Sequence, residues 1–112
     1  MSYTIAYSAE AQQDLRNIFC YIVTESCAVE TAQKQLRRIT AEIRSLDEFP
    51  LRFQLFEKQP WKTLGLRYFP IDNYLIFYLP DTESSEVLIL RIMHKRRNIS
   101  IQIGHSVSNH LQ

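Results

Sequence analysis

The densest group of chemically active side chains in the sequence is the run from Arg91 to Asn98. It reads Arg-Ile-Met-His-Lys-Arg-Arg-Asn and closes the most apolar stretch of the chain. Arginine and lysine bind phosphate, and a histidine such as His94 can accept or donate a proton, so the run fits nucleic-acid chemistry. A charged side chain inside an apolar strand needs a partner or a route to solvent. Arg91 is therefore expected to share a binding face with Arg67 or to pair with a carboxylate.

Two interpretations of this group stay open. A ribonuclease that needs no metal must move protons while cations hold the phosphate. Its catalytic residues here would be His94, Arg67, Arg91 and Arg96. The alternative, which the pattern favours for the histidine, is a side chain that ends the strand through a hydrogen bond.

Charge is sorted along the chain, although the formal net charge is only +1. Residues 51–71 and 91–98 hold eight cations against one acid, a net charge of +7. The remainder holds five cations against eleven acids, a net charge of −6. If the two basic segments meet in space, they form one surface for nucleic acid or another target, with Trp61 open to stack on a base. The binding residues expected on it are Arg67, Lys62, Trp61, Lys95, Arg96 and Arg97.

Residue types exclude several kinds of site. Gly65 and Gly104 are the only glycines, so no glycine-rich phosphate loop can form, and no nucleophile elbow or carboxylate pair is present. Cys20 and Cys27 have no zinc-ligand spacing to the three histidines, and we expect no metal and no cofactor. Both cysteines are expected to be free thiols that are buried or partly buried.

Length and composition predict one cytoplasmic domain. A chain of 112 residues has room for a single core. Residues 3–98 are the supported part of a domain spanning 1–112, and 99–112 form a tail of uncertain structure in which Ile99 to Ile103 alternate like an edge strand. No stretch reaches the roughly 18 apolar residues of a membrane span. The N-terminus carries no export signal.

The first half of the chain is predicted to form a strand and two helices. Alternating apolar residues at 3–7 indicate a short strand, and Ser8 suits the N-cap of the helix that follows. Apolar residues at three- and four-residue spacing predict helices over 9–24 and from residue 29 towards Pro50. Proline ends the second helix because it cannot continue the helical hydrogen bonds.

The second half is predicted to form three strands and an ordered loop. The strands lie at residues 66–69, 74–79 and 87–93, with a turn at 80–85. Tyr74, Phe77 and Tyr78 are expected in the core, and residues 51–63 in a loop that crosses the end of the sheet. The order β-α-α-β-β-β predicts an α+β fold, in which a helical hairpin packs on one face of a small, mainly antiparallel sheet. The first strand completes one edge of that sheet.

Several short segments resemble the RelE/ParE family of toxins from type II toxin–antitoxin systems. Their order and spacing cover about residues 3–98. The segments are Tyr7–Ala11 with Asp14, Leu15 and Ile18, then Ser45–Leu46 with Phe49–Pro50, Gly65–Arg67, Asn73–Tyr78 and Leu90–Arg97.

The resemblance implies a toxin that arrests growth and is held inactive by a cognate antitoxin in a hetero-oligomer. It also implies a role in plasmid stabilization and the β-α-α-β-β-β fold. Within the family, ParE-like members poison DNA gyrase, and RelE-like members cut messenger RNA on the ribosome.

The sequence departs from the ribonuclease pattern of the family. RelE-like strands carry an arginine directly after the tyrosine that matches Tyr74, where this chain has Leu75. The tyrosine expected after the basic run falls near Gln102, and no His-Tyr pair closes the chain. The resemblance is therefore closer to the ParE-like branch and to a gyrase inhibitor. An mRNA interferase with a divergent site and a non-toxic partner-binding domain are the alternatives.

Overall fold

A computed structural model describes residues 2–96 of the chain as three helices and four strands. Two 3₁₀ turns, at Ser45–Asp47 and Pro50–Arg52, follow the second helix. In chain order the elements are β1 (Thr4–Tyr7), α1 (Ala9–Ser26), α2 (Val29–Arg44), α3 (Trp61–Leu64), β2 (Arg67–Ile71), β3 (Tyr74–Asp81) and β4 (Glu86–His94). Arg97, Gln102 and the strand expected from Ile99 to Ile103 lie outside the described residues.

The four strands form one sheet in the order β1-β4-β3-β2. The strand β1 runs parallel to β4, with Thr4 opposite Glu86 and Tyr7 opposite Ile89. The pairs β2–β3 and β3–β4 are antiparallel. This confirms the predicted α+β fold with β1 at the edge of a mainly antiparallel sheet.

The helix α1 starts and packs as its sequence predicts. Ser8 is its N-cap, and the Ser8 hydroxyl accepts a hydrogen bond from the Ala11 N–H at 2.9 Å. The buried stripe of the helix contains Ala11 and Ile18. The prediction of buried thiols is wrong, because Cys20 lies two residues beyond Ile18, off this stripe, and Cys27 follows the helix end. Both cysteines are free and exposed.

The helix α2 ends earlier than the proline predicts. Its buried residues include Ile39 and Ile43, and it stops at Arg44. The chain then tightens into the 3₁₀ turn, which still buries Leu46. Pro50 begins the second 3₁₀ turn instead of terminating α2 directly.

Both faces of the sheet are apolar. The face towards the helices packs Ile76, Tyr78 and Ile89 with residues of α1 and α2. The other face buries residues that include Phe77 and Leu90, against which Phe56 and Trp61 pack. The segment 51–63 thus packs on the second face through Phe56 and Trp61 and leads into α3, so it is more than a loop across the end of the sheet. The expected core positions of Tyr74, Phe77 and Tyr78 are confirmed. Over residues 2–96, no helix is long and apolar enough to cross a membrane.

Candidate target-binding site

The start of α1 protects the edge of β4 where β1 has ended. The Ser8 N–H donates to the Ile89 carbonyl at 2.9 Å, and the Ser8 hydroxyl donates to the Leu90 carbonyl at 2.7 Å. Six residues further on, the Asp14 carboxylate accepts a hydrogen bond from the Ile92 N–H at 2.9 Å. Side chains of α1 therefore replace the missing backbone partners of this strand edge.

Arg91 binds the same carboxylate. Its Nε donates to Asp14 Oδ2 at 2.8 Å, and a terminal nitrogen donates to Oδ1 at 2.9 Å. The two side chains are only 12% and 11% exposed. The hydrogen bond to Asp14 raises the pKa of the Arg91 guanidinium above its ordinary value. Of the two expectations for Arg91, the structure shows the carboxylate partner.

Arg67 lies elsewhere in the sheet. It begins β2 opposite Tyr78, and its guanidinium donates to the Phe53 carbonyl at 2.6 Å. The strand β3 lies between β2 and β4, so Arg67 and Arg91 are on different strands and bind different partners. The structure does not bring these two arginines into one line of guanidinium groups.

A pocket of about 420 Å³ opens beside the Asp14–Arg91 pair, between α1 and the end of β4. Both elements contribute polar and aromatic side chains to its wall. Those central to its chemistry are Asn17, Tyr21, Tyr74, His94 and Arg96. The pocket is therefore where three of the four expected catalytic residues, Arg91, His94 and Arg96, come together.

His94 is oriented by its neighbours at the end of β4. Its ring meets Tyr74 edge-on, with ring centroids 5.6 Å apart. Its Nδ1 accepts a hydrogen bond from the Arg96 N–H at 3.2 Å. A neutral imidazole that accepts at Nδ1 carries its proton on Nε2. His94 thus ends the strand through a hydrogen bond, as the sequence favoured, and keeps Nε2 for a ligand.

The basic residues after β4 remain at the surface. The Lys95 N–H donates to the Asn73 carbonyl at 3.0 Å, and the side chains of Lys95 and Arg96 are exposed. Arg97, the next expected binding residue, lies outside the described part of the chain. The cations of this segment that the structure describes are available to a target.

Trp61 and Lys62 do not reach the pocket. They lie in α3, and Trp61 packs with Phe56 against the sheet face opposite α1 and α2. The Trp61 indole N–H is buried, so this side chain is less open to a base than the sequence suggested. Lys62 forms an ion pair with Glu57 at 3.0 Å.

Sequence reasoning missed the contribution of α1 to this site. Asp14, Asn17 and Tyr21 have the spacing i, i+3 and i+7, which places them on one face of a helix. Tyr21 is 64% exposed although it is a large aromatic residue. The sequence signal for this contribution is a row of polar and aromatic residues next to the apolar stripe of α1.

Comparison with known proteins extends over nearly the same region. The profile of the ParE toxin of the type II toxin–antitoxin system parDE matches residues 5–99. No curated protein matches the chain.

Solved structures share the fold. A chromosomal ParDE system from P. aeruginosa superposes with a TM-score of 0.68 at 19% identity, covering 83% of this chain and 96% of that one. The RelBE2 toxin–antitoxin complex from Mycobacterium tuberculosis gives 0.63 at 21% identity, covering 87% and 95%. A free double mutant of the E. coli toxin RelE gives 0.65 at 10% identity, covering 100% of both chains. With the family profile spanning β1 to the end of β4, the chain belongs to the ParE toxin family of type II toxin–antitoxin systems.

Proposed function

We propose that this toxin arrests growth by poisoning DNA gyrase and that a cognate antitoxin neutralises it. Membership of the ParE family supports the first part. Two of the similar structures are a ParDE system and a RelBE2 complex, which supports an antitoxin partner in a hetero-oligomer. The expected location is the cytoplasm, where gyrase and its DNA are found.

The observation that carries the choice of target is that both strand arginines of the expected ribonuclease set, Arg67 and Arg91, already bind acceptors within the protein. Cleavage of RNA without a metal needs proton-transfer groups and cations around one phosphate. Arg91, on β4, is held by Asp14. Arg67, on β2, is held by the Phe53 carbonyl. Leu75, on β3, offers no charge. The described residues thus suit binding to a target better than cutting RNA.

A second function rests on a specific pair. His94 and Arg96 line one pocket, and a neutral imidazole beside a guanidinium is a minimal acid–base and phosphate-binding unit. A ribosome-dependent ribonuclease with a divergent site would use these two residues. In that enzyme, His94→Gln would remove the one imidazole that residues 2–96 contribute to the pocket.

Inducible expression separates these functions. Expression of the chain alone is expected to stop bacterial growth, and co-expression of the neighbouring antitoxin gene is expected to restore it. DNA damage and gyrase-linked breaks should appear while ribosome-bound messages stay intact, and His94→Gln should keep most of the toxicity. Codon-phased cuts in messenger RNA that disappear in His94→Gln would assign the ribonuclease function instead. Normal growth with soluble chain accumulating would assign a non-toxic binding domain.

A further inference from the structure

The pocket between α1 and β4 is lined by aromatic side chains from both sides. Tyr21 stands at 64% exposure on α1, whereas Tyr74 is buried on β3. Both tyrosines line the pocket, and burial together with the neighbouring Tyr21 raises the pKa of Tyr74. His94 meets Tyr74 edge-on. Three rings therefore line one cleft, and one of them remains largely open to solvent.

Hydrogen-bond donors surround these rings. Asn17 Oδ1 accepts from the Gln13 amide at 2.8 Å, which leaves the two N–H donors of Asn17 for another acceptor. His94 Nε2 is the ring nitrogen not used by the Arg96 N–H. Arg96 is exposed, and within residues 2–96 its guanidinium forms no ion pair.

A peptide strand is a poor occupant of this pocket. An added strand needs free backbone donors and acceptors on the sheet edge. The edge of β4 here is already satisfied, because Ile92 donates to Asp14 and the Leu90 carbonyl accepts from Ser8. The groups left for recognition are planar rings, side-chain donors and a guanidinium. These are the groups that bind unstacked bases and phosphates.

We propose that this pocket binds one unstacked nucleotide of a single strand, with the base against Tyr21 and the phosphate at Arg96. The volume of about 420 Å³ lies within the range of roughly 300–1,000 Å³ that is usual for ligand sites. Asn17 and His94 Nε2 supply hydrogen bonds to the edge of the base. The inference deepens the proposed function and rests on it only for the source of the nucleotide, which would be the DNA that gyrase holds open.

The buried ion pair positions the two walls of the pocket. Asp14 and Arg91 tie α1 to β4 through two hydrogen bonds, and the Ile92 N–H adds a third. These contacts fix the distance between Tyr21 on the helix and His94 on the strand. Arg91 is thereby a positioning residue, and Arg96 is the cation that contacts the ligand.

Fluorescence anisotropy with the full chain tests the proposal. Labelled oligo-dT, oligo-rU and duplex DNA of equal length are the probes. Single strands are expected to bind more tightly than the duplex, because only they present an unstacked base. Tyr21→Ala should weaken single-strand binding by about 5- to 150-fold, the equivalent of one lost base–aromatic stack. Tyr21→Phe should bind like the wild type, because it keeps the ring.

Matched variants separate this site from general charge or folding effects. Phe49→Ala removes another exposed aromatic residue, outside the pocket, and should leave binding unchanged. Arg96→Gln should reduce the dependence of log affinity on log salt by about 0.7, as expected when a single strand loses one phosphate contact. Equal binding of duplex and single strand, or a Tyr21→Ala variant that binds like the wild type, would overturn the proposal.

The probes also separate this inference from the proposed function. A preference for oligo-dT identifies DNA as the source of the nucleotide, and a preference for oligo-rU identifies RNA. Tyr21-dependent binding without any effect on gyrase would leave the pocket assignment standing and would remove the gyrase proposal. Gyrase poisoning that Tyr21→Ala leaves intact, with no oligonucleotide binding, would do the reverse.

Discussion

Two arginine–aspartate pairs join the helical hairpin to the sheet with nearly the same geometry. In both, the arginine Nε donates to one carboxylate oxygen at 2.8 Å and a terminal nitrogen donates to the other at 2.9 Å. The pair Arg91–Asp14 is almost buried and also binds the Ile92 N–H. The pair Arg38–Asp72 is open to water. Burial, and not hydrogen-bond geometry, decides how much each pair matters to the fold.

The contrast between buried and exposed basic residues also shows which cations remain for binding to a target. The arginines within strands bind groups of the protein itself, since Arg67 and Arg91 each donate hydrogen bonds to a protein acceptor. Lys95 and Arg96 follow the last residue of β4 and stay exposed. A count of basic residues along the sequence therefore overstates the binding face.

Asp14→Asn should produce the largest change. The substitution removes the carboxylate that pairs with the nearly buried Arg91 guanidinium, and breaking such a pair costs about 3–5 kcal/mol. Urea denaturation should show this loss in the free energy of unfolding.

The double variant Asp14→Leu/Arg91→Met is the control. It should recover much of the lost stability, because it removes both charges together. An Asp14→Asn chain as stable as the wild type would contradict the role of this pair.

Arg96→Glu should abolish toxicity and leave thermal unfolding almost unchanged. The side chain is exposed, and isolated surface charges contribute little to stability. Arg37→Glu, which reverses an exposed arginine of α2, should remain toxic. Growth arrest measures the toxicity of each variant, and the melting temperature of the same variants measures their stability. A large fall in melting temperature for Arg96→Glu would mean that this arginine belongs to the fold.

Asp72→Asn should have the smallest effect, and it should depend on pH. Hydrogen bonds from Arg38 and Gln35 lower the pKa of Asp72 below its ordinary value of 3.8. The contribution of a carboxyl with a lowered pKa is present above pH 3.8 and is lost as the pH falls through the folded-state value.

The free energy of unfolding, measured from neutral pH down through the range in which Asp72 becomes protonated, tests this pH dependence. The wild type should lose this contribution on acidification, whereas Asp72→Asn should lack that part of the slope. At neutral pH the two chains should be nearly equal in stability, because the pair is solvent-exposed. Identical slopes in the acidic range would show that the exposed pair contributes nothing.

The fold was predictable because its signals are local. Alternation in β1, the Ser8 cap and the apolar run of β4 each specify a nearby structure, and their order defines the topology. The end of α2 was harder to predict, because a 3₁₀ turn and a helix continuation share the same apolar residues around Leu46. The position of Cys20 depended on which side of α1 faces the core.

The site was less predictable because it depends on distant residues. Asp14 and Arg91 are 77 positions apart in the chain. Their pairing depends on the parallel placement of β1, which brings the start of α1 to the edge of β4. Tyr21 joins the pocket for the same reason. His94 and Arg96 line the same pocket because they lie close together in one short segment.

A DNA cleavage assay with purified gyrase tests directly whether the chain poisons this enzyme. The chain, gyrase and a supercoiled plasmid are incubated together, and protein-linked linear DNA is measured after denaturation. Linear DNA is expected to accumulate with the wild type and with His94→Gln, and not to accumulate with Arg96→Glu if the toxin poisons gyrase through Arg96. Unchanged plasmid with the wild-type chain, together with His94-dependent cutting of ribosome-bound messenger RNA, would contradict the gyrase proposal.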